Sequence, residues 1–218
     1  MARTLFISDQ HLPFEHKKAL RFCVDMANKH SVDRVIFGGD IVDHHRISRH
    51  TTEPDADGAV SEYRATLKAL KRWYKAFPSA RIVLGNHDLI PRRQAKELGI
   101  PRVFLKDLHE VYEMPKKWTL HDRIVENNVL YLHSAGSGKY GAVNKAREMS
   151  MSVVAGHTHR AGGIVYYSNP SHLYFGLNAG CLIDKSTYAM RYSNSEPTLG
   201  LAVVYSSERG YYEPMKLK

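Results

Sequence analysis

Short apolar runs alternate with polar segments along the first half of the chain. Residues 4–8, 34–37 and 81–84 are rich in β-branched and aromatic side chains, which is typical of buried strands. Between them, apolar residues at helical spacing predict helices over residues 16–29 and 59–77. Strands joined by helices indicate βαβ units with a mainly parallel sheet, and the functional residues of such a sheet belong at the carboxyl ends of its strands.

The second half has shorter apolar runs with more turn residues. Its predicted strands cover residues 118–120, 129–133, 152–155, 163–167, 172–176, 199–205 and 211–215. A helix is predicted near residues 142–149, and Asn127-Asn128 is typical of a hairpin turn. A parallel first half and a more antiparallel second half favour two sheets packed together with helices outside. Without an internal repeat or a linker, we expect a single domain over residues 1–218.

The helix predicted over residues 59–77 is amphipathic. We expect one face to pack on the sheet, and its apolar residues are Tyr63, Leu67, Leu70, Tyr74 and Phe77. Another side is basic and carries Arg64, Lys68, Lys71, Arg72 and Lys75. A solvated face explains this basic stripe best, and a track for a nucleic-acid backbone is the alternative.

Composition narrows the class of protein. The chain has 218 residues, 43% of them hydrophobic, so it can bury its own core. No apolar run approaches the ~20 residues that a membrane-spanning helix needs, and no secretion signal is visible. Two cysteines are too few for a disulfide framework, so we expect a reducing, cytoplasmic setting. The net charge of +9 indicates an anionic partner, such as a phosphorylated small molecule or a nucleic acid.

Side chains able to bind metals follow five of the predicted strands. The five segments are Asp9-Gln10-His11, Gly39-Asp40-Ile41-Val42-Asp43, Gly85-Asn86-His87-Asp88, His133 and Gly156-His157-Thr158-His159. Imidazole nitrogens together with carboxylate and amide oxygens suit Mn, Fe, Zn or Ni better than Ca, which prefers oxygen alone. The absence of cysteine from this set argues against a closed structural zinc site.

The order and spacing of these segments resemble the calcineurin-like metallophosphoesterase superfamily, from Asp9 to His159. The resemblance implies an α/β fold made of four layers (α-β-β-α), with two mixed sheets in the centre. It implies two divalent metal ions, with Mn²⁺ the preferred one. The implied ligands of the first ion are Asp9, His11 and His159, those of the second are Asn86, His133 and His157, and Asp40 would bridge the two.

The resemblance also implies the catalytic groups. His87 would protonate or stabilise the leaving oxygen, and Asp88 would hold the ring of His87 and favour its charged form. Asp43 would orient a ligand histidine from outside the ligand set. We expect Arg46, Arg49, Arg92, Arg93 or Arg160 to contact substrate phosphates because they follow the metal motifs closely. His44 would either reach the site or face solvent.

The expected activity is hydrolysis of a phosphodiester of nucleotide or nucleic-acid type, by in-line attack of a hydroxide that bridges the two metals. The Gly-Asn-His-Asp motif resembles phosphodiesterase and nuclease members of the superfamily. Three alternatives stay open. They are a phosphomonoesterase or protein phosphatase, a sugar-nucleotide pyrophosphatase, and a metal-stabilised binding subunit with weak or no catalysis.

Overall fold

The computed structural model describes residues 2–49, 53–136, 138–187 and 196–216. These residues form eleven strands: β1 (Thr4–Ile7), β2 (Arg34–Phe37), β3 (Ala80–Val83), β4 (Trp118–His121), β5 (Ile124–Glu126), β6 (Val129–Leu132), β7 (Ser152–Ala155), β8 (Gly162–Ser168), β9 (Leu173–Ala179), β10 (Gly200–Ser206) and β11 (Arg209–Pro214). Five α-helices accompany them: α1 (Ala19–Lys29), α2 (Ala59–Ala76), α3 (Ile90–Glu97), α4 (Leu108–Val111) and α5 (Gly141–Met149). Two short 3₁₀ helices cover His45–Ile47 and Arg102–Phe104.

The strands form two mixed sheets. The first has the order β11-β10-β1-β2-β3-β4, in which β1 to β4 are parallel and β10 and β11 are antiparallel. The second has the order β5-β6-β7-β9-β8. The prediction that the second half is more antiparallel is wrong for the centre of this sheet, where β6, β7 and β9 run parallel. Helix α5 connects β6 to β7, and a crossover of this kind returns the chain in the same direction.

Alternation along β1 shows how the layers pack. Leu5 and Ile7 join the core that includes helices α1 and α2, whereas Phe6 joins the core between the sheets. In β7, Val154 faces the first sheet and Val153 packs with α5 on the opposite side. The predicted α/β class and the four-layer sandwich of helices, sheet, sheet and helix are therefore confirmed.

Helix α2 presents a different face to the sheet from the predicted one. Its buried stripe is Glu62, Thr66, Ala69, Leu70 and Trp73, and Phe77, the residue after the helix, is also buried. Of the predicted face, Tyr63 is exposed, while Leu67 and Tyr74 are half-buried. The prediction was wrong by part of a turn because Glu62 and Thr66 are buried although they are polar. Thr66 Oγ1 donates to the carbonyl of Leu12, and the carboxylate of Glu62 accepts the amide N–H groups of His45 and Arg46.

Two further properties of the chain bear on the predictions. Cys23 and Cys181 are free and buried. Among the described residues, no helix combines the length and the apolar character that crossing a membrane requires.

Candidate metal centre

The five predicted segments meet at one end of the sandwich. They follow β1, β2 and β3, which are neighbours in the first sheet, and β6 and β7, which are neighbours in the second. Because these five strands run parallel within their sheets, their carboxyl ends lie on the same edge. The structure therefore brings together side chains that lie up to 150 positions apart in the chain.

The loops after β1 and β2 are joined by backbone hydrogen bonds. The amide of Asp9 donates to Gly39 O at 3.0 Å, and that of His11 donates to Asp40 O at 2.9 Å. Asp9, His11 and Asp40 adopt left-handed backbone conformations, with φ of 56°, 51° and 50°. Such a conformation costs a non-glycine residue roughly 1–2 kcal/mol. The bonds between the loops hold these residues in place, so part of the folding free energy is spent on their orientation.

One cluster consists of Asp9, His11 and His159. His159 Nε2 lies 3.1 Å from Asp9 Oδ1 and 3.1 Å from His11 Nε2. The other side of the His11 ring meets Asp43, whose Oδ1 lies 2.6 Å from His11 Nδ1. Asp43 therefore makes the contact expected of a residue that orients a ligand histidine.

A second cluster contains Asp40, Asn86, His133 and His157. His133 Nε2 lies 2.9 Å from Asn86 Oδ1, 3.2 Å from His157 Nδ1 and 3.2 Å from Asp40 Oδ2. Asp40 Oδ2 is also 3.8 Å from His11 Nε2, which belongs to the first cluster. This carboxylate oxygen is thus the atom that links the two clusters.

His157 and His159 serve different clusters because the chain turns between them. His157 has a φ of 68°, and the amide of Thr158 donates to Gly156 O at 2.8 Å. A regular strand would place residues 157 and 159 on one face with parallel directions. The turn lets His157 reach His133 while His159 reaches Asp9.

Glycines allow this close assembly. A Cβ on Gly85 would lie 2.2 Å from Asp40 Oδ1, and one on Gly156 would lie 1.8 Å from Ser8 Oγ. Ser8 Oγ donates to Asp9 Oδ2, so the sequence analysis missed a residue that positions Asp9. The Gly residues of the motifs therefore make room for the carboxylates.

The donor set fits divalent metal ions. His133 Nδ1 faces the carbonyl oxygen of Gly38 at 2.8 Å, and His11 Nδ1 faces the Asp43 carboxylate. Since both partners accept, each Nδ1 carries the hydrogen, and Nε2 of the neutral ring turns a lone pair into the site. Lone pairs and carboxylate oxygens then converge without a donor between them. Within 4.8 Å of one another lie ligand atoms of Asp9, His11 and His159, and likewise of Asp40, His133 and His157.

Opposite charges pair across the two clusters. Burial would raise the pKa of Asp40, but the adjacent His133, with His11 and His87, holds this pKa well below its ordinary value. The same pairing with Asp40 outweighs burial at His133 and raises its pKa to about 10. Burial would likewise raise the pKa of Asp9, but the hydrogen bond and charge of His159 lower it. The site therefore keeps both carboxylates ionised and attracts positive charge.

His87 lies at the edge of this site. Its ring centroid is 4.6 Å from that of His11, and its Nδ1 lies 2.6 Å from the carbonyl oxygen of Asp43. Because a carbonyl only accepts, Nδ1 carries the hydrogen and Nε2 remains for a substrate. The amide of His87 donates to Asp40 Oδ1 at 2.7 Å, which ties this residue to the linking carboxylate.

The contact predicted between Asp88 and the ring of His87 is wrong. Asp88 is buried, and its carboxylate accepts backbone N–H groups from Gly85, Asp40, Ile41 and Val42 at 2.8–3.3 Å. Burial and the charge of Asp40 raise the pKa of Asp88 to about 6, against the opposing effect of these N–H groups. Asp88 therefore fastens the loop after β2 to the loop after β3.

The residues predicted to contact substrate are spread around the site. His44 neither reaches the clusters nor faces solvent freely, since its Nδ1 lies 2.8 Å from His87 O and its Nε2 2.6 Å from the hydroxyl of Tyr112. Burial lowers the pKa of His44. Tyr112 had no motif to reveal it, because 68 positions separate it from His44.

The arginines differ in their partners. Arg49 pairs with Glu97, Arg92 pairs with Asp107 at 3.0 Å, and Arg93 donates to the carbonyl of Asn86 at 2.6 Å. The amide of Arg46 donates to Glu62, and Arg160 is exposed beside His159. Of these five, Arg49 and Arg93 line a cavity together with His87.

Comparison with known proteins places the chain in a family. The model of the calcineurin-like phosphoesterases matches residues 2–161, so the chain belongs to this family. It is therefore a member of a family of hydrolases that act on phosphoester bonds, and the family together with the His/Asp clusters points to divalent metal ions.

Solved structures show the same fold at low sequence identity. Vacuolar protein sorting 29 from Cryptosporidium parvum is 12% identical, with 99% of this chain and 92% of that chain covered and a TM-score of 0.50. A metallophosphoesterase from Sphaerobacter thermophilus is 14% identical, with coverage of 99% and 89% and a TM-score of 0.47. YfcE, a phosphoesterase from E. coli, is 11% identical, with coverage of 92% and 90% and a TM-score of 0.42. No curated protein matches the chain.

Proposed function

We propose that this chain is a phosphodiesterase that works with two divalent metal ions and hydrolyses a phosphodiester of nucleotide or nucleic-acid type. The observation that carries this proposal is the pair of donor clusters linked by Asp40 Oδ2. A single metal would need one cluster, whereas two clusters that share one carboxylate oxygen suit two adjacent ions. Mn²⁺ is the proposed metal, and Fe, Zn and Ni are its competitors because the donors mix nitrogen and oxygen.

In this proposal each cluster holds one ion. Asp9, His11 and His159 would hold the first, and Asn86, His133 and His157 the second, with Asp40 shared between them. When bound, the two ions would lower the pKa of a water molecule and offset negative charge on the phosphoryl oxygens.

His87 would act on the leaving group. Its Nδ1–H is held by the carbonyl of Asp43, so the ring keeps one orientation while Nε2 takes or gives the proton. A proton delivered from Nε2 to the leaving oxygen would prevent the build-up of an alkoxide. Because the amide of His87 also binds Asp40, the distance between this acid and the metal centre is fixed by the backbone.

The experiment is a metal titration. The purified protein is stripped with a chelator, and Mn²⁺ is added while hydrolysis of bis-p-nitrophenyl phosphate is followed. We expect activity to be absent from the stripped protein and to saturate as two ions per chain bind. Hydrolysis that is unaffected by the chelator and by added metal would refute the proposal.

A phosphomonoesterase or protein phosphatase is the nearest alternative, because it would use the same centre with different walls. The same preparation is assayed with p-nitrophenyl phosphate. A kcat/KM for the monoester above that for the diester would assign the chain to this alternative.

A metal-stabilised binding subunit is the second alternative. The specific observation in its favour is that vacuolar protein sorting 29, a protein named for sorting and not for hydrolysis, has the matching fold. His87→Ala separates the two functions, since His87 is absent from the proposed ligand sets. We expect this variant to bind the same number of metal ions and to lose hydrolysis by about 10²–10⁴-fold. A wild-type protein that binds metal and hydrolyses none of these esters would favour the binding subunit.

A further inference from the structure

A cavity of about 270 Å³ opens beside the candidate metal centre, between the loop after β2 and helix α3. Asn86 and His87 line it, together with Arg49 and three residues of α3, which are Arg93, Gln94 and Glu97. Pockets that enclose a drug-sized ligand measure about 300–1,000 Å³. This cavity is therefore large enough for one unit of a larger substrate, such as a sugar with its phosphate.

The charges that line the cavity do not cancel. Arg49 forms an ion pair with Glu97, so these two offset each other. The side-chain amide of Gln94 donates to Ile47 O, which fastens α3 to the loop opposite. Arg93 has no carboxylate within ion-pair distance among the residues that the structure describes, so its positive charge remains for a ligand.

Arg93 is also held in position. Its Nη2 donates to the carbonyl oxygen of Asn86 at 2.6 Å, and Asn86 is one of the proposed metal ligands. A guanidinium has five N–H donors in a planar fork, and this contact uses one side of it. The remaining donors are therefore presented at a fixed position next to the metal centre, which is an arrangement suited to a phosphate.

Arg92, the neighbouring residue on α3, provides a contrast. It pairs with Asp107 at 3.0 Å and lines a different cavity together with Lys96 and Ile100. Two adjacent arginines on one helix thus have different surroundings, and Arg93 is the one of the two beside His87.

We propose that this cavity binds the part of the substrate adjacent to the scissile phosphate, and that Arg93 binds a second phosphate there. This inference rests on the proposed phosphodiesterase function and narrows its substrate to diesters that carry a further phosphate, as a nucleic-acid strand does. A simple diester with one phosphate would leave Arg93 without a ligand and would bind less tightly.

Two chromogenic substrates test the inference, the p-nitrophenyl ester of thymidine 5′-phosphate and the same ester with an added 3′-phosphate. For the wild-type protein with Mn²⁺, we expect kcat/KM to be about tenfold higher for the ester with two phosphates, through a lower KM, since a charge-assisted hydrogen bond is worth about this factor. Arg93→Ala should abolish the preference, and the control Arg92→Ala should keep it.

The comparison of the two substrates separates recognition from general damage. If Arg93→Ala only disturbed Asn86, both substrates would lose the same factor, and the inference would be overturned. Equal kcat/KM values for the two substrates in the wild-type protein would overturn it as well. Arg93→Lys should keep part of the preference, because the charge remains but the fork is lost.

A binding measurement keeps the inference testable if neither ester is hydrolysed, a result that would count against the proposed function itself. Titration calorimetry compares thymidine 3′,5′-bisphosphate with thymidine 5′-monophosphate. About tenfold tighter binding of the bisphosphate, lost in Arg93→Ala, would support the second phosphate site, whereas equal affinities or no binding of either would overturn it.

Discussion

Asp43 shows how one residue can control two histidines. Its carboxylate faces His11 Nδ1, and its carbonyl oxygen faces His87 Nδ1, each at 2.6 Å. Replacing its side chain would therefore change the orientation and basicity of His11 while leaving the support of His87 intact. Asp40 differs because its side-chain oxygen links the two donor clusters directly.

Asp40→Asn and Asp43→Asn should consequently differ in severity. We expect Asp43→Asn to lower kcat by about 10–100-fold, as for other residues that orient a metal ligand, and Asp40→Asn to lower it further. The measurement is kcat with bis-p-nitrophenyl phosphate, with metal content per chain determined in parallel. An Asp43→Asn variant that is more impaired than Asp40→Asn would contradict the shared role of Asp40.

Gly85→Ala tests the close packing behind this carboxylate. The added Cβ would lie 2.2 Å from Asp40 Oδ1 and 2.3 Å from Asp40 N, so the loop after β2 must move. We expect the free energy of unfolding to fall by about 1–3 kcal/mol, the usual cost of overpacking, and hydrolysis to fall with it. Urea denaturation and the diester assay measure the two effects. Wild-type values for both would show that the loop yields without cost.

The sequence predicted the positions of the metal motifs because each follows an apolar run that ends in a strand. It did not predict the partners of Asp88, since the adjacent His87 suggested a contact with the ring. In the structure this carboxylate satisfies backbone donors of two loops that lie 46–48 positions apart for the longer contacts. Contacts of this kind depend on how neighbouring strands end and leave no periodic pattern.

At the scale of elements, strands were easier to predict than the orientation of helices. β2 and β7 have the bounds that their apolar runs indicate. Helix α2 was predicted at the right place with the wrong face, because hydrophobicity alone does not identify Glu62 as a buried residue. Helix α3 was missed, although Pro91 in its first turn is a common start signal.

The start of α2 offers a stabilising change. Gly58 precedes the helix with φ of −67° and ψ of 155°, makes no side-chain cap, and has open space around its Cα. Gly58→Ser should raise the free energy of unfolding by about 0.5–1 kcal/mol, by capping an amide of the first turn and by restricting the unfolded chain.

A matched variant checks that explanation. Gly99 also has open space, but its φ of 69° lies in the left-handed region. Gly99→Ser should therefore destabilise the protein, by about 1–2 kcal/mol. Chemical denaturation of both variants decides the matter, and equal shifts would show that the backbone conformation is not the cause.

For the whole molecule, the candidate metal centre joins the two halves of the sandwich. Asp9, Asp40 and Asn86 follow strands of the first sheet, whereas His133 and His157 follow strands of the second. Metal ions bound between them would add links across the interface of the two sheets. The binding free energy would then appear as stability of the folded state.

Removal of metal should therefore lower the melting temperature. At a metal concentration 100 times the Kd, binding adds about 2.7 kcal/mol. For a chain of this length that corresponds to roughly 5–10 °C between chelator and Mn²⁺. Scanning calorimetry measures the shift, which His87→Ala should retain and His133→Ala should lose. Identical melting temperatures with and without Mn²⁺ would contradict a centre that spans the sheets.

The two buried cysteines provide built-in reporters of chain opening. Burial raises the pKa of Cys23 and that of Cys181, so neither thiol is a ready nucleophile while the protein is closed. Cys23 lies in α1 within the core of the first sheet, and Cys181 Sγ lies 3.7 Å from the carbonyl oxygen of His159. A thiol-alkylating reagent followed by peptide mass spectrometry would thus time the opening of the helical layer and of the metal-binding loop separately, without an introduced label.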